Sequence, residues 1–406
     1  MRPRVAVLHH RLSFFPLDLM QQIDGYADVL WVADESASAD ELRFMRRFGT
    51  LVDISGLDID RAAKELGEQA PDGIVAFVDQ RIELAAALAE RLGLRYASPE
   101  VARRLVDKTE QRATLRAAGV PGPDFWVLPA GSSRADRVAL SEQVTFPAVL
   151  KPAEGSGSLG IYHLTNPDDL LALDELEQTT VASLIEEYIA GPSVPTAWYA
   201  DYLSVESVVS DGHISHVALT GRFPLAEPYR ETGNFIPALV ADDLRSEVTG
   251  IAGDALRALG IRDAVTHAEI KLSDSGPKLI EVNGRLGGRP PFVLRSVSET
   301  NLFQVALQLA VGEPVRFDTF AECHGVGFWR MVQPPMSATR VQRIAGIEEL
   351  RQFPGVDSVN VRQNEIVDWR EGTASWVFNV RGHVASHDEL AATIEHISSS
   401  VSIDYE

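Results

Sequence analysis

The sequence predicts a multidomain chain, α/β at its N-terminus and α+β beyond, and three observations predict it. Short apolar runs alternate with helical stretches over the first hundred residues, a strand–glycine loop–strand unit follows, and an acidic β-hairpin turns near Ser275. At roughly 150 residues per domain, a chain of 406 residues holds two or three domains. With 45% hydrophobic and 23% charged residues the composition is that of ordinary folded domains, which excludes disordered and fibrous classes.

The elements follow in order. Residues 5–8, 29–32 and 73–78 read as buried strands of an open α/β layer of about 100 residues, with helical stretches between them. Residues 82–92 have helical apolar spacing and stop at Gly93, a position suited to a left-handed cap. Ser98-Pro99-Glu100 opens another helix with a capping serine, a proline at the first helical position and an early acid. Asp107 followed by Glu110 starts the next, which ends at Gly119, so two helices meet near Lys108. Residues 146–150 form a strand delivering Lys151, the loop 154–160 follows, and residues 161–164 form the return strand. Downstream lie the segment 183–189, strands over 203–210 and 213–220, and a helix over 242–259. Residues 266–272 and 278–282 flank Ser273-Asp274-Ser275-Gly276-Pro277 as a hairpin. Strands at 326–331 and 375–380 and a terminal helix from His387 predict a small α+β cap.

The charge balance, 37 − 58 = −21, leaves no overall positive field for nucleic acid or an anionic membrane. An anionic ligand such as a nucleotide then needs local cations, backbone amides or a metal. Cys323 is the only cysteine, which excludes an intrachain disulfide and a two-cysteine metal site and makes a reducing compartment the default. Residues 5–8 are too short an apolar run for a secretory core, and no stretch approaches about 18 apolar residues. A cytoplasmic enzyme is expected.

Gly155, Gly157 and Gly160 fit the dinucleotide-binding pattern G-x-G-x-x-G, but that fingerprint needs a helix directly after the glycines, and residues 161–165 are β-rich. An oxidoreductase reading fails on this context. The P-loop pattern is absent, because Lys151 precedes the glycines. A mobile tip of three glycines with Ser156 and Ser158 can wrap backbone N–H groups around phosphate oxygens, with Lys151 as the point charge. A flexible surface hairpin satisfies the loop equally.

Residues two apart in a strand share a face, so His267, Glu269 and Lys271 point one way, and Leu279, Glu281 and Asn283 share a face of the return strand. A turn centred on Ser275 pairs Glu269 with Glu281 and His267 with Asn283. Opposed carboxylates repel unless a cation lies between them, and two carboxylates with the Asn283 carbonyl are hard oxygen ligands suited to Mg²⁺. An exposed acidic hairpin without a metal remains the alternative. The loop after Asn283 carries Arg285 and Arg289, residues able to grip a carboxylate or acyl phosphate with two prongs.

Lys108 at a helix start, Lys151 before a Gly/Ser loop, residues 185–189 (IEEYI), 268–272 (AEIKL) and 280–285 (IEVNGR), taken in that order, resemble the ATP-grasp superfamily over residues 1–320. Residues 200–206, 231–234 and 266–272 further resemble the dipeptide-forming L-amino-acid ligases of the bacilysin synthetase type. The resemblance implies an ATP-grasp fold with an N-terminal Rossmann-like open sheet (1–100), a small subdomain with central helices and glycine lid (101–182), a large subdomain with the Mg/ATP site (183–318) and a C-terminal α+β subdomain (319–406). It implies ATP and Mg²⁺ as cofactors, with Mn²⁺ able to substitute, amino acids as substrates, and is compatible with a homodimer. Lys108 and Lys151 would contact phosphates, Gly155, Ser156, Gly157 and Ser158 would belong to the lid, and Glu186, Glu187, Tyr188 and Ile189 would hold adenine. Glu269, Glu281 and Asn283 would bind Mg²⁺. Glu231 and Arg285 would act in catalysis and line the amino-acid pocket, joined by Asn234, where relatives often have histidine, by Asp79 as an acid for the substrate ammonium, and by Arg222 in place of a common lysine. Residues 192–200 resemble an insertion, which leaves the acid that grips ribose unassigned. The activity implied is formation of an acyl phosphate from ATP and a carboxylate, then of an amide. An alternative amine partner is a nucleoside or amino sugar, and carboxylase chemistry or non-catalytic nucleotide binding are further rivals.

Overall fold

The structure, a computed structural model, describes residues 2–191, 198–362 and 365–406. Its first layer is a parallel sheet in the order Thr50–Asp53, Asp28–Ala33, Arg4–Leu8, Gly73–Ala76. Three of these strands are the apolar runs expected. Thr50–Asp53 is an edge strand with only Val52 fully buried, too little pattern to stand out in sequence. Helix Ile82–Leu92 ends at Gly93 in the left-handed conformation (φ 68°), and Ser98 caps helix Pro99–Val106 by accepting from the Val101 N–H.

A four-stranded antiparallel sheet follows in the order Phe125–Leu128, Ser183–Glu187, Ala148–Pro152, Tyr162–Leu164. Strand Ser183–Glu187 lies inside this small sheet, beside the strand that carries Lys151, so the small layer extends past the boundary drawn at residue 182 from the sequence.

The largest layer is an eight-stranded sheet in the order Lys278–Asn283, Ala264–Lys271, Tyr202–Ser210, His213–Arg222, Gly233–Ile236, Val326–Val332, Phe378–Val384, Val356–Val361. Helix Asp242–Leu259 covers one face, burying Val248, Ile251, Ala252, Ala255, Leu256 and Leu259 against Leu203, Val205, Ala268, Ile270 and Val282. On the opposite face polar side chains such as Glu206, His267 and Glu269 lie beside an apolar patch including Val208 and Val265 that packs with the first layer. Three of the five strands in the expected C-terminal cap continue this sheet, the other two, Val341–Ala345 and Ser402–Tyr405, pair as a small sheet of their own, and helix His387–Ser400 packs against the large one. Residues 369–375 form a 3₁₀ turn and the last long strand begins at Phe378, later than the expected 375. Among the described residues no helix is long and apolar enough to cross a membrane.

Candidate active site

The polar face of the large sheet, the small sheet and the ends of the first layer enclose a cleft of about 1130 Å³. Its lining includes Asp79, Lys108, Lys151, Gly155 to Ser158, Glu186 to Ile189, Arg222, Glu231, Glu269, Glu281, Asn283 and Arg285. Asn234 is the one expected site residue outside that lining. It is 1% exposed and sits directly across the ladder from Arg222, with neither amide atom hydrogen-bonded among the described residues.

The hairpin pairs Glu269 with Glu281 and His267 with Asn283. A turn centred on Ser275 does not produce this pairing by itself. Nearer the turn Lys271 faces Lys278 and Ile270 faces Leu279, one residue out of the expected register, and a bulge at Ile280 restores it. The bulge also breaks the expected alternation: Leu279 packs into the helix-covered core with Ile270 and Val282, whereas Glu281 and Asn283 face the cleft.

Helix Lys108–Ala117 holds the bulge in place. Asp107 caps it, accepting from the Thr109 and Glu110 N–H groups at 2.7 and 3.2 Å. Positions 108, 111, 112 and 115 share one face. Gln111 extends the hairpin's edge, donating to the Val282 carbonyl at 2.9 Å and accepting from its N–H at 2.8 Å. Arg112 donates to the carbonyls of Leu279 and Ile280, the bulge itself, and its Nε donates to Glu186 at 2.7 Å. Lys108 points into the cleft, 3.7 Å from Glu281, and donates to the Gly155 carbonyl at 2.6 Å. None of Gln111, Arg112 or His267 was singled out as a site residue from the sequence; the helical spacing from Lys108 was the available signal for the first two.

His267 is buried between two acids, with Nδ1 2.9 Å from both Glu206 oxygens and Nε2 3.1 Å from Glu269. Burial opposes its charge, but Glu206 and Glu269 outweigh burial and push its pKa up to about 9. Burial likewise opposes ionisation of Glu269, yet the hydrogen bond from His267 and the charge of Arg222 hold it down at about 2. Arg222, 2.9 Å from His267 Nε2, donates to Glu231 and to Glu269. Glu206, Glu231 and Glu269 thus face two cations, Arg222 and protonated His267. One negative charge is left over beside Glu281.

Lys151 is 6% exposed and lies 2.7 Å from Glu186, which also takes Arg112. The Glu186 carboxylate is therefore committed within the protein and offers adenine no free acid. Glu187 accepts from Lys278 at 3.2 Å, and Tyr188 stacks on His163 at 4.9 Å between ring centres. Asp79 is likewise engaged: Arg285 donates to both its oxygens at 3.1 and 2.6 Å and to Asn283 Oδ1 at 3.0 Å. Residues 192–197, within the expected insertion, lie outside the described residues.

The glycine loop bends over the cleft through left-handed Gly157 (φ 73°) and Ser158 (φ 61°). It is held from three sides: by Lys108 at Gly155, by Gln80 of the first layer donating to Ser156 Oγ at 3.3 Å, and by the Thr373 N–H on the Gly157 carbonyl at 3.0 Å. The C-terminal residues Met331, Met336, Thr373 and Trp376 complete the wall, a contribution no sequence motif announced.

Residues 144–290 match the ATP-grasp domain model, a span that contains the glycine loop, strand Ser183–Glu187 and the acidic hairpin. An L-amino acid ligase from Bacillus licheniformis superposes with a TM-score of 0.80 at 18% identity, over 100% of this chain and 99% of that one. The chain has the ATP-grasp fold. A second neighbour, N5-carboxyaminoimidazole synthase from Aspergillus clavatus in complex with ADP and 5-aminoimidazole ribonucleotide, superposes with a TM-score of 0.73 and 15% identity over 98% of both chains. By sequence, alanine–anticapsin ligase of Bacillus subtilis is 27% identical over 57% of this chain and 52% of its own length. Carnosine synthase 1 of Gallus gallus is 29% identical over 60% of this chain and 28% of its own. The chain spans about half the length of the first curated relatives it matches.

Among the described residues no group of three or more His, Cys, Asp or Glu side chains is arranged to hold a metal. Two carboxylates and an amide oxygen form an all-oxygen set, short of a complete cage. That set fits Mg²⁺, which keeps water and phosphate oxygens in its other positions, and it does not fit zinc.

Proposed function

We propose that the chain is an ATP-dependent carboxylate–amine ligase that activates an amino-acid carboxylate and couples it to the amine of a second amino acid, giving a dipeptide, ADP and phosphate. The observation that carries this reading is the opposition, across one cleft, of the Glu269–Glu281–Asn283 row to Lys108 and Lys151 beneath a glycine loop. The ATP-grasp domain and the named ligases among the relatives support it. Mn²⁺ in place of Mg²⁺, a homodimer and a cytoplasmic location belong to the same proposal.

In the first step a substrate carboxylate oxygen attacks the γ-phosphorus of ATP, the bond to the β-bridging oxygen breaks, and ADP leaves. Mg²⁺ bound by Glu269, Glu281 and Asn283 would neutralise phosphate charge. Lys108 and Lys151 face the transferring oxygens, and Arg285, fixed by Asp79 and Asn283, meets charge developing on the acyl phosphate. In the second step a neutral amine attacks the acyl carbon and inorganic phosphate departs. Glu231 takes one Arg222 contact at Oε1, leaving Oε2 to orient the amine or accept its proton. The closed loop keeps the acyl phosphate from water.

The test is release of ADP and phosphate by purified protein with ATP and Mg²⁺ across pairs of amino acids, with mass spectrometry of the product. Release that requires both amino acids and yields their condensed mass is expected. Release without any amide, or none with any pair, would remove the ligase reading.

A further inference from the structure

The glycine-rich loop after Asn283 carries two arginines in opposite situations. Arg285 is fully engaged by Asp79, Asn283 and the Leu286 carbonyl. Arg289 lines the same cleft, yet its guanidinium has no hydrogen bond or ion pair to any described residue. It lies over the Trp329 ring, 4.3 Å from the ring centre. By contrast, the four arginines at less than about a tenth exposure all reach acceptors: Arg112 reaches Glu186, Arg137 reaches Asp174, Arg222 reaches Glu231 and Arg230 reaches the Pro334 carbonyl. Arg289 is partly buried, which disfavours its charge, and Asp18 and Glu231 offset this only through their fields. Such a group is poised to gain from an incoming anion.

Its position says which anion. Trp329 stands four strands from Glu269 in the sheet order, roughly 19 Å at 4.7–4.9 Å per strand. The phosphates held at the acidic hairpin are therefore at the other end of the cleft. The apolar cluster that contains Trp329 contributes Phe14, Met331 and Trp376 to the cleft wall, Pro290 follows Arg289 in the chain, and helix Pro290–Val297 directs its positive end toward the same place. An apolar pocket with one planar two-pronged cation selects a carboxylate.

We propose that Arg289 is a specificity-determining residue that binds a substrate carboxylate other than the one being activated. This rests on the ligase reading and sharpens its substrate class. The second carboxylate comes either from the side chain of an acidic amino acid or from the main chain of the amine partner.

The experiment compares wild type with R289Q and R289K in two arms. Glutamate against glutamine, and aspartate against asparagine, reads the side-chain source; an amino acid against its primary amide as amine partner reads the main-chain source. KM for the carboxylate-bearing partner is expected to rise about 100-fold in R289Q, with kcat within about threefold, and the preference over the neutral amide to disappear. R289K should fall between. Because the guanidinium makes no hydrogen bond or ion pair to a described residue and only stacks on Trp329, the thermal midpoint of R289Q should stay within about 3 °C of wild type, whereas a structural role would lower it further. Calorimetric binding of glutamate, glutamine, alanine and alaninamide to the same proteins needs no turnover. Wild type without turnover but with an Arg289-dependent preference for a charged probe would fail the ligase reading alone. Equal affinity for charged and amide probes, or a preference that survives in R289Q, overturns the inference.

Discussion

Glu269 and Glu281 occupy directly opposed positions of an antiparallel ladder, where two negative charges destabilise the pair unless cations stand close by. Lys108 serves Glu281, and His267 with Arg222 serves Glu269. Glu281→Ala is expected to cut ATP-dependent turnover by at least about 100-fold, with a thermal midpoint within about 3 °C of wild type in the absence of metal. ADP release and a melting curve check both halves; normal Mg²⁺-dependent turnover would take Glu281 out of the site. His267 makes a pH prediction. Its folded pKa, about 9, lies above the ordinary 6.5, so its contribution to stability is complete below pH 6.5 and is lost as pH rises through about 9. For the metal-free protein, the stability gap between wild type and His267→Gln should therefore close between pH 7 and 10. A gap constant over that range would show that His267 is neutral when folded. At this scale the sequence announced acids, lysines and glycines through pattern, but not the fate of each charge. Glu186 and Asp79 read as free acids because their partners, Arg112 and Arg285, come from residues 74 and 206 positions away.

Elements do the aligning. The bulge at Ile280 is what places Glu281 and Leu279 on opposite faces, and Arg112 is the side chain that grips its carbonyls. Arg112→Met leaves those carbonyls and part of the Glu186 charge uncompensated. It should cost roughly 3 kcal/mol of stability and raise KM for ATP more than it lowers kcat. Denaturant unfolding and steady-state kinetics read the two effects, and an unchanged stability would mean the bulge stands without it. The glycine loop is also held by an element distant in sequence. A β-carbon at Gly372 would lie 2.2 Å from the Gly157 carbonyl, and φ there is +62°. Gly372→Ala is expected to undock the loop, so that more phosphate is released per amide formed as the acyl phosphate meets water. A wild-type ratio of phosphate to amide would show that this contact does not seal the cleft. Helix boundaries were legible from caps and glycine stops, as at Asp107 and Gly93. The bulge was not, because a one-residue slip leaves no mark on the apolar pattern when the turn is flexible.

Across the whole molecule, one sheet runs from the acidic hairpin to the C-terminal strands, so the cleft is walled by residues more than 250 positions apart, from Asp79 to Trp376. The alternation of strands and helices made the layered plan readable. The continuity of the large sheet into residues 326–384 was hidden, because strand order depends on which edges meet and short strands read alike whether they extend a sheet or start another. The central claim is that the opposed acids, the two lysines and the glycine loop together form one Mg·ATP site. A crystal structure with Mg²⁺ and a non-hydrolysable ATP analogue tests it most directly. The expected result is a divalent ion touching Glu269 and Glu281, with Asn283 beside it, and a triphosphate between Lys108, Lys151 and the glycine loop. A triphosphate bound elsewhere, or a metal in contact with neither glutamate, would contradict it.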